Sequence, residues 1–426
     1  MKKPSIKWTI GFVLITAMVV GAGLLSGKKP TEAERARAIV TYLASAELEG
    51  RGIGTAGEEK AASYLADQFQ KIGLRPAGDM DTWFQLFDFV PKSNPHMMQS
   101  PDGAVLGQGM VKKTSGRNVL GKIDNGAAHT IIIGAHFDHL GWGDENSLFK
   151  GEKDIHHGAD DNGSGVAAMV ILAQRLKKSK LRSNNYLFIG FSGEEKGLWG
   201  SNYFCKNPLT DLSQVNYMLN MDMVGRLDGK SMKLAIFGTG TSPTWDAVVE
   251  KQKGKFVLTK DPSGVGPSDH TSFYLQDIPV LHFFTGQHED YHKPSDTAEK
   301  LNYAGIVEVV DYLERIIKAL DKGPKLPFTK TQDKDSQKSP KFSVTMGVVP
   351  DYMFSGEGMR VDGVSEGKPA AAAGLMKGDI VIQLGDSTVK DMMSYMRALS
   401  SFSKGDSTAV RINRDGTIKI LPVKFN

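Results

Sequence analysis

The sequence predicts an α/β fold, with a mixed, mostly parallel central sheet carrying helices on both faces and a small β-rich domain after it. Three observations predict this. Compact apolar runs of strand length alternate with segments of helical period up to about residue 320, as in a sheet covered on both sides. Polar residues suited to chemistry follow several of these strands directly, where open α/β sheets bind ligands. A stretch poor in apolar residues then separates a final segment that has apolar positions and turns of its own.

The chain of 426 residues is long enough for two or three domains and a substantial core. Its formal charge is +4, and three of those charges belong to Lys2, Lys3 and Lys7, leaving +1 on the rest. A balance so close to neutral gives no basis for nucleic-acid binding. The three lysines precede a nearly uncharged run from Trp8 to Leu25, the pattern of an export segment. At about 1.5 Å per residue this run nearly spans a bilayer core of about 30 Å. Residues 1–27 are therefore expected to be a signal peptide or a membrane anchor, which places the body of the protein in the periplasm or outside the cell. Small residues from Gly21 to Gly27 suit cleavage, and no cysteine follows Leu25 to take a lipid. Cys205 is the sole cysteine, so the fold must rest on its core and on any metal rather than on an internal disulfide.

The elements follow in order. Thr31 to Leu48 has helical spacing, with Ile39, Val40 and Leu43 apolar; a glycine-rich turn from Gly50 to Gly57 leads into a second helix over Glu58 to Ile72. Strands are expected at Trp83 to Val90, Asn118 to Ile123 and Thr130 to Gly134. Val166 to Leu176 reads as a helix, and Asn185 to Phe191, Val215 to Met221, Lys233 to Phe237 and Ile278 to Phe284 read as buried strands. A long amphipathic helix, Ala304 to Leu320, closes the region. The expected domains are 28–321, a linker over 322–341, and 342–426.

The stretch GADDNGSG, Gly158 to Gly165, holds adjacent carboxylates ahead of a helix. A buried pair of like charges needs a cation or a shared proton, although Asp, Asn and Ser in this pattern also cap helices. Other segments supply partners. The strand from Thr130 leads to His136 and Asp138, that from Asn185 to Glu194 and Glu195, and that from Val215 to Asp222; a loop after the last strand carries His292. Two imidazoles and several carboxylates suit zinc. Two ions would each take one histidine, one terminal carboxylate and a shared one. A water between them would be acidified, and of Glu194 and Glu195 one would bind metal while the other takes the proton.

With these residues assembled, the sequence resembles the co-catalytic dinuclear zinc aminopeptidases of peptidase clan MH, which include secreted bacterial leucyl aminopeptidases. The resemblance covers roughly Glu47 to Leu320 and rests on five ordered motifs: GAHFDH, GADDNGSG, SGEEKGLWGS, NMDMVGR and YHKPSDT. It implies a zinc aminopeptidase/phosphorylase-hydrolase-like sheet and two zinc ions as cofactor. His136 and Asp222 would hold one ion, His292 and Glu195 the other, and Asp161 would bridge, with Asp160 as its neighbour. Glu194 would be the general base, Asp138 would orient His136, and Tyr291 would stabilise the tetrahedral oxyanion. The implied reaction removes N-terminal residues from peptides or proteins. Family relatives carry a segment like Ser268-Asp269-His270, which points to His270 as a pocket residue. His139, His156, His157, His282 and His288 read as loop or core histidines, Glu289 and Asp290 as surface charges, and Trp142 and Trp199 as core residues, with pocket lining as the alternative.

The segment 342–426 resembles a PDZ domain. The resemblance rests on Ser355 to Val361 as a carboxylate-binding loop, Pro369 to Leu375 as the alanine-rich turn, and Lys377 to Val381. It implies a peptide or protein ligand added at a sheet edge, with packing as a lid or spacer as the alternative. Met392, Met393 and Met396 read as helix packing. Two other functions stand against the aminopeptidase. Carboxypeptidase or glutaminyl cyclase-like zinc chemistry is one, although cyclases keep a single zinc. A non-catalytic envelope protein that binds through its PDZ domain is the other, and the complete ligand set with Glu194 argues against it.

Overall fold

Alternate side chains along the central strands enter two different cores, which is why these strands read as unbroken apolar runs. Ile131, Ile133, Tyr186, Phe188, Tyr217 and Leu219 face one core; Ile132, Leu187, Ile189 and Met218 face the other. This computed structural model describes residues 29–89, 114–143, 146–331, 344–351, 354, 356–364, 367–390 and 392–425. The export segment expected over 1–27 lies outside the described residues. Among the described residues no helix is long and apolar enough to cross a membrane.

The first helices are α1 (Glu32–Leu43) and α2 (Ala56–Ile72). Strands β1 (Arg75–Pro76), β2 (Phe84–Phe89), β3 (Thr114–Ile123) and β4 (Thr130–His136) lead to helix α3 (Gly165–Lys178). Then come β5 (Asn185–Phe191), α4 (Trp199–Lys206), β6 (Val215–Met221), β7 (Lys233–Phe237), α5 (Trp245–Gln252) and β8 (Val257–Asp261). The region ends with α6 (His270–Tyr274), β9 (Val280–Phe284) and α7 (Tyr303–Leu320). The strands form one sheet in the order β1-β3-β5-β4-β6-β9-β7-β8, with β2 also on β3. Strands β5, β4, β6 and β9 are mutually parallel, so their carboxyl ends share one edge.

The expected mostly parallel sheet is present. The first helix stops at Leu43 instead of Leu48, because Ser45 is extended (φ −71°, ψ 151°) and a separate 3-10 turn, Ala46–Arg51, follows it. Helices α4, α5 and α6 and strand β8 were not expected. They are short, and α4 and α6 cover the second face through Phe204 and Phe273. Residues 322–331, within the expected linker, stay on this domain: Leu326 is buried, and Thr329 donates its amide to the Thr241 carbonyl at 2.8 Å.

The C-terminal segment builds its own antiparallel sheet and core. Its elements are β10 (Val348–Pro350), β11 (Met359–Val364), α8 (Pro369–Ala373), β12 (Ile380–Leu384), β13 (Ser387–Thr388), α9 (Met392–Ser400), β14 (Ser407–Arg414) and β15 (Thr417–Lys424). Val361, Val381, Leu384, Val410 and Ile412 form the centre of the core, and Met396 packs against it. The loop expected to hold a peptide carboxylate leads into β11, which already pairs with β10 and β12; the terminal strands are β10 and β15.

Candidate metal centre

The site lies where the parallel strands end. His136 is the last residue of β4, Asp222 directly follows β6, and Glu194 and Glu195 sit in the turn after β5. Asp161 lies in the irregular turn Ala159–Ser164 ahead of α3, and His292 in the loop after β9. The turn before α3 has its own reasons to form. Gly158 has φ +56°, and a Cβ there would stand 2.3 Å from the Asp161 carbonyl oxygen. Asn162 Oδ1 accepts from the Gly165 amide at 2.9 Å, as a helix cap does, and its Nδ2 donates to the Met221 carbonyl at 3.0 Å. The same side chain thus caps α3 and holds the strand end that carries Asp222.

The two oxygens of Asp161 face different imidazoles. Oδ1 lies 3.3 Å from His136 Nε2, and Oδ2 lies 3.2 Å from His292 Nε2. His136 Nε2 is also 3.4 Å from Asp222 Oδ1, and His292 Nε2 is 3.2 Å from Glu195 Oε2. Donors about 2.1 Å from a tetrahedral ion stand about 3.4 Å apart, and each imidazole lies at about that separation from its two carboxylates. Among the described residues His136 Nε2 and Asp222 Oδ1 are buried with no hydrogen-bond partner, which is costly unless a cation lies between them. The residues present therefore fit a metal.

A group of His139, Asp161 and Glu195 is also close enough to hold an ion. His292 Nε2 stands beside the same two carboxylates. His139 Nδ1 makes a direct 2.8 Å hydrogen bond to Glu195 Oε1 and stands 3.9 Å from Asp161 Oδ2, whereas His292 Nε2 is equidistant from both carboxylates.

Charge pairing overrides burial across this cluster. Burial opposes the charge on both imidazoles, yet Asp222 and Glu194 hold His136 well above its usual pKa, and Glu195 and Asp161 do the same for His292. Burial also opposes ionisation of Asp161 and Glu195, but the histidines hold Asp161 well below its ordinary value and Glu195 at about 2. Glu194 goes the other way: burial raises it well above the usual value, and Glu195, Asp222 and Asp269 add to this against the pull of His136. Two adjacent glutamates are thereby pushed apart, the pattern expected of one ligand and one proton carrier.

Asp138 sits behind His136. Its Oδ1 lies 3.6 Å from His136 Nδ1 and accepts the Glu194 amide at 3.2 Å. His292 Nδ1 is 2.8 Å from the Asn146 carbonyl, and Asn146 Nδ2 donates to the Glu195 carbonyl at 2.7 Å. The Tyr291 ring stacks on His292, with centroids 3.8 Å apart. Asp161, Glu194, Glu195, Asp222 and His292 line a cleft together with the apolar or aromatic side chains of Met223, Phe237, Phe284 and Tyr291.

Several expectations change here. His139 is a buried partner of Glu195, and His288 Nε2 lies 3.1 Å from Asp160 Oδ2. His282, not His270, lines the cleft; His270 is fully buried and stacked behind it at 4.5 Å. Asp290 is not a surface charge, because it is buried and bonded to Arg226 at 2.9 Å and Lys300 at 2.6 Å. Trp142 is exposed rather than core. Asp160 turns away from the cleft, its Oδ1 accepting the Gly225 amide at 2.7 Å. Sequence reasoning missed Arg51, which is wholly buried at the back of the site; its sole sequence signal was a cation inside a glycine-rich turn.

Known proteins resemble the chain in the same regions. Residues 118–317 match Peptidase family M28 and residues 330–425 match the PDZ domain. A probable leucine aminopeptidase of Arthroderma otae is 28% identical over 204 residues, which is 45% of this chain and 53% of that protein. The probable lipoprotein aminopeptidase LpqL of Mycobacterium tuberculosis is 30% identical over 224 residues, 47% of this chain and 42% of that one. The chain thus spans about half the length of these curated relatives. The structure of BSAP, a zinc aminopeptidase from Bacillus subtilis, aligns over 72% of this chain and 98% of its own, with a TM-score of 0.51 at 18% identity; it shares the fold. The chain carries a Peptidase family M28 domain and, C-terminal to it, a PDZ domain.

Proposed function

We propose that the chain is a zinc aminopeptidase that hydrolyses N-terminal residues from peptides, with two zinc ions held on either side of Asp161. The observation that carries this reading is the division of the Asp161 carboxylate between His136 and His292, each with a second carboxylate within 3.4 Å. His136 and Asp222 would hold one ion, and His292 and Glu195 the other. Bound there, the ions would supply Lewis-acid polarisation of the scissile carbonyl and acidification of water.

The remaining work falls to the chain's own groups. Glu194 takes a proton from the attacking water at its carboxylate and delivers it to the departing amine; its raised pKa suits a group that must hold that proton in between. Asp138 fixes the ring of His136 and the backbone of Glu194 together. Tyr291, stacked on His292 and lining the cleft, is the residue to which this reading gives stabilisation of the developing oxyanion. The apolar lining receives the N-terminal side chain and excludes water.

The domain reading that goes with this is an exported protein with 28–321 as the peptidase, 342–426 as a peptide-binding PDZ domain, and a linker between. Its likeness to a protein named a lipoprotein aminopeptidase supports export. Metal content and activity of Asp161→Ala test the proposal: both zinc equivalents are expected to be lost together. Retention of one at full affinity would remove the bridge from the account.

A further inference from the structure

The backbone that presents Asp161 is gripped from two sides by opposite charges. On one side lies Arg51, fully buried, with every guanidinium bond made to a carbonyl oxygen. Nε donates to Phe137 at 2.7 Å, and Nη1 to Leu43 at 2.9 Å and His157 at 2.6 Å. Nη2 donates to Gly158 at 2.5 Å and to Asp161 at 3.3 Å. Three of the five acceptors therefore belong to residues 157–161. Arg51 itself has φ +40°, a left-handed angle that a glycine would adopt more cheaply. A large cation retained at such a position indicates that its side chain is what the position needs.

On the other side lies Asp296, also fully buried. Its Oδ2 accepts the amides of Asp160 at 2.9 Å and Asp161 at 3.1 Å, and its own carbonyl accepts the amide of Ala159 at 3.1 Å. Three consecutive amides thus converge on one residue, four positions after His292. An anion on the amides and a cation on the carbonyls orient the peptide dipoles of this turn in the same sense. The turn is therefore fixed both to the loop of one histidine and, through the Phe137 carbonyl, to the segment carrying the other.

We infer that Arg51 and Asp296 are positioning residues, a two-sided clamp on residues 157–161 that holds Asp161 between His136 and His292. The inference rests on the two-zinc reading above. Neither side chain touches substrate. A clamp on a shared ligand affects both metal sites at once, whereas support for one half-site affects one.

The test is zinc binding to the full chain, measured by competition with a chromophoric chelator, alongside thermal unfolding of the metal-free protein and the split of kcat from KM. Arg51→Lys keeps the charge but offers three donors on one nitrogen to five separate carbonyls, and Asp296→Ala removes the amide acceptor. Each is expected to weaken both zinc equivalents together by about 10- to 100-fold and to lower kcat with little change in KM. Asp296→Asn keeps an oxygen for the two amides and should restore most of the affinity. Should Asp296→Ala fail to fold, Asp296→Ser, too short to reach both amides, takes its place with the same expectation. Folded variants that bind both equivalents as wild type does, or that lose only one, would overturn the clamp. Failure of the underlying reading looks different: wild type would bind a single equivalent, or Asp161→Ala would keep one.

Discussion

His139 hydrogen-bonds Glu195, Nδ1 to Oε1 at 2.8 Å, with both side chains buried. The bond leaves Oε2 of Glu195 directed at His292 Nε2, 3.2 Å away. His139 therefore orients one terminal carboxylate of the proposed pair and has no contact of this kind with Asp222. His139→Ala is expected to weaken the zinc equivalent held by Glu195 and His292 by about 10- to 100-fold and to leave the other nearly unchanged. Stepwise zinc titration of the metal-free protein would separate the two; equal weakening of both would contradict the assignment.

Glu194 is the carboxylate whose pKa is displaced upward beside two, Asp161 and Glu195, that are displaced downward. Glu194→Ala should keep both zinc equivalents and lose turnover by about 10² to 10⁴-fold or more, because proton transfer and the orientation of water disappear together. Near-normal kcat in a fully loaded variant would show that the proton goes elsewhere.

Glu58 supplies a test by pH. Its side chain is fully buried, Oε1 accepts from Ser192 Oγ at 2.9 Å, and Oε2 is 3.6 Å from Arg117 Nε. Burial raises its pKa from 4.5 to about 7, against the pull of Ser192 and Arg117 and with a small push from Asp138. The folded protein then binds the proton more tightly than the unfolded chain. Stability is highest below about pH 4.5 on this account and declines as pH rises toward 7, by on the order of 2–3 kcal/mol. Glu58→Gln keeps an acceptor for Ser192 without the charge. Urea unfolding of both proteins from pH 4.5 to 8 should show the variant gaining on wild type across that window, and a constant difference would contradict the buried charge.

Gly158 tests the turn itself. Its left-handed backbone, and the approach of the Asp161 carbonyl and His139 ring to where a Cβ would be, leave no room for a side chain. Gly158→Ala is expected to cost about 1–3 kcal/mol in unfolding free energy and to weaken zinc binding as well. Unchanged values in both measurements would mean the turn is looser than its contacts imply.

The central strands were legible because both faces are buried: Asn185–Phe191, Val215–Met221 and Lys233–Phe237 match their apolar runs residue for residue. The short helices α4 and α6 were not, since eight and five residues carry too little periodicity to stand out from loops. Strand β8 is half-exposed and polar at Thr259, Lys260 and Asp261, so it lacked the signal of its neighbours. For the site, residues at strand ends could be read from position, and the structure brings His136, Asp161, Glu194, Glu195, Asp222 and His292 into one cleft or directly behind it. What surrounds them could not be read. His139, Asp296 and Arg51 make hydrogen bonds to residues 56 to 136 positions away, and sequence spacing carries no trace of such bonds. Asp290 looked like surface charge because its partners, Arg226 and Lys300, come from other segments.

The most direct measurement is turnover of matched aminoacyl substrates with a free and an N-acetylated amine, each with and without a metal chelator. The account predicts cleavage of the free-amine substrates alone, abolished by the chelator and restored by zinc. Equal cleavage of the acetylated substrates, or cleavage that survives complete removal of metal, would contradict it.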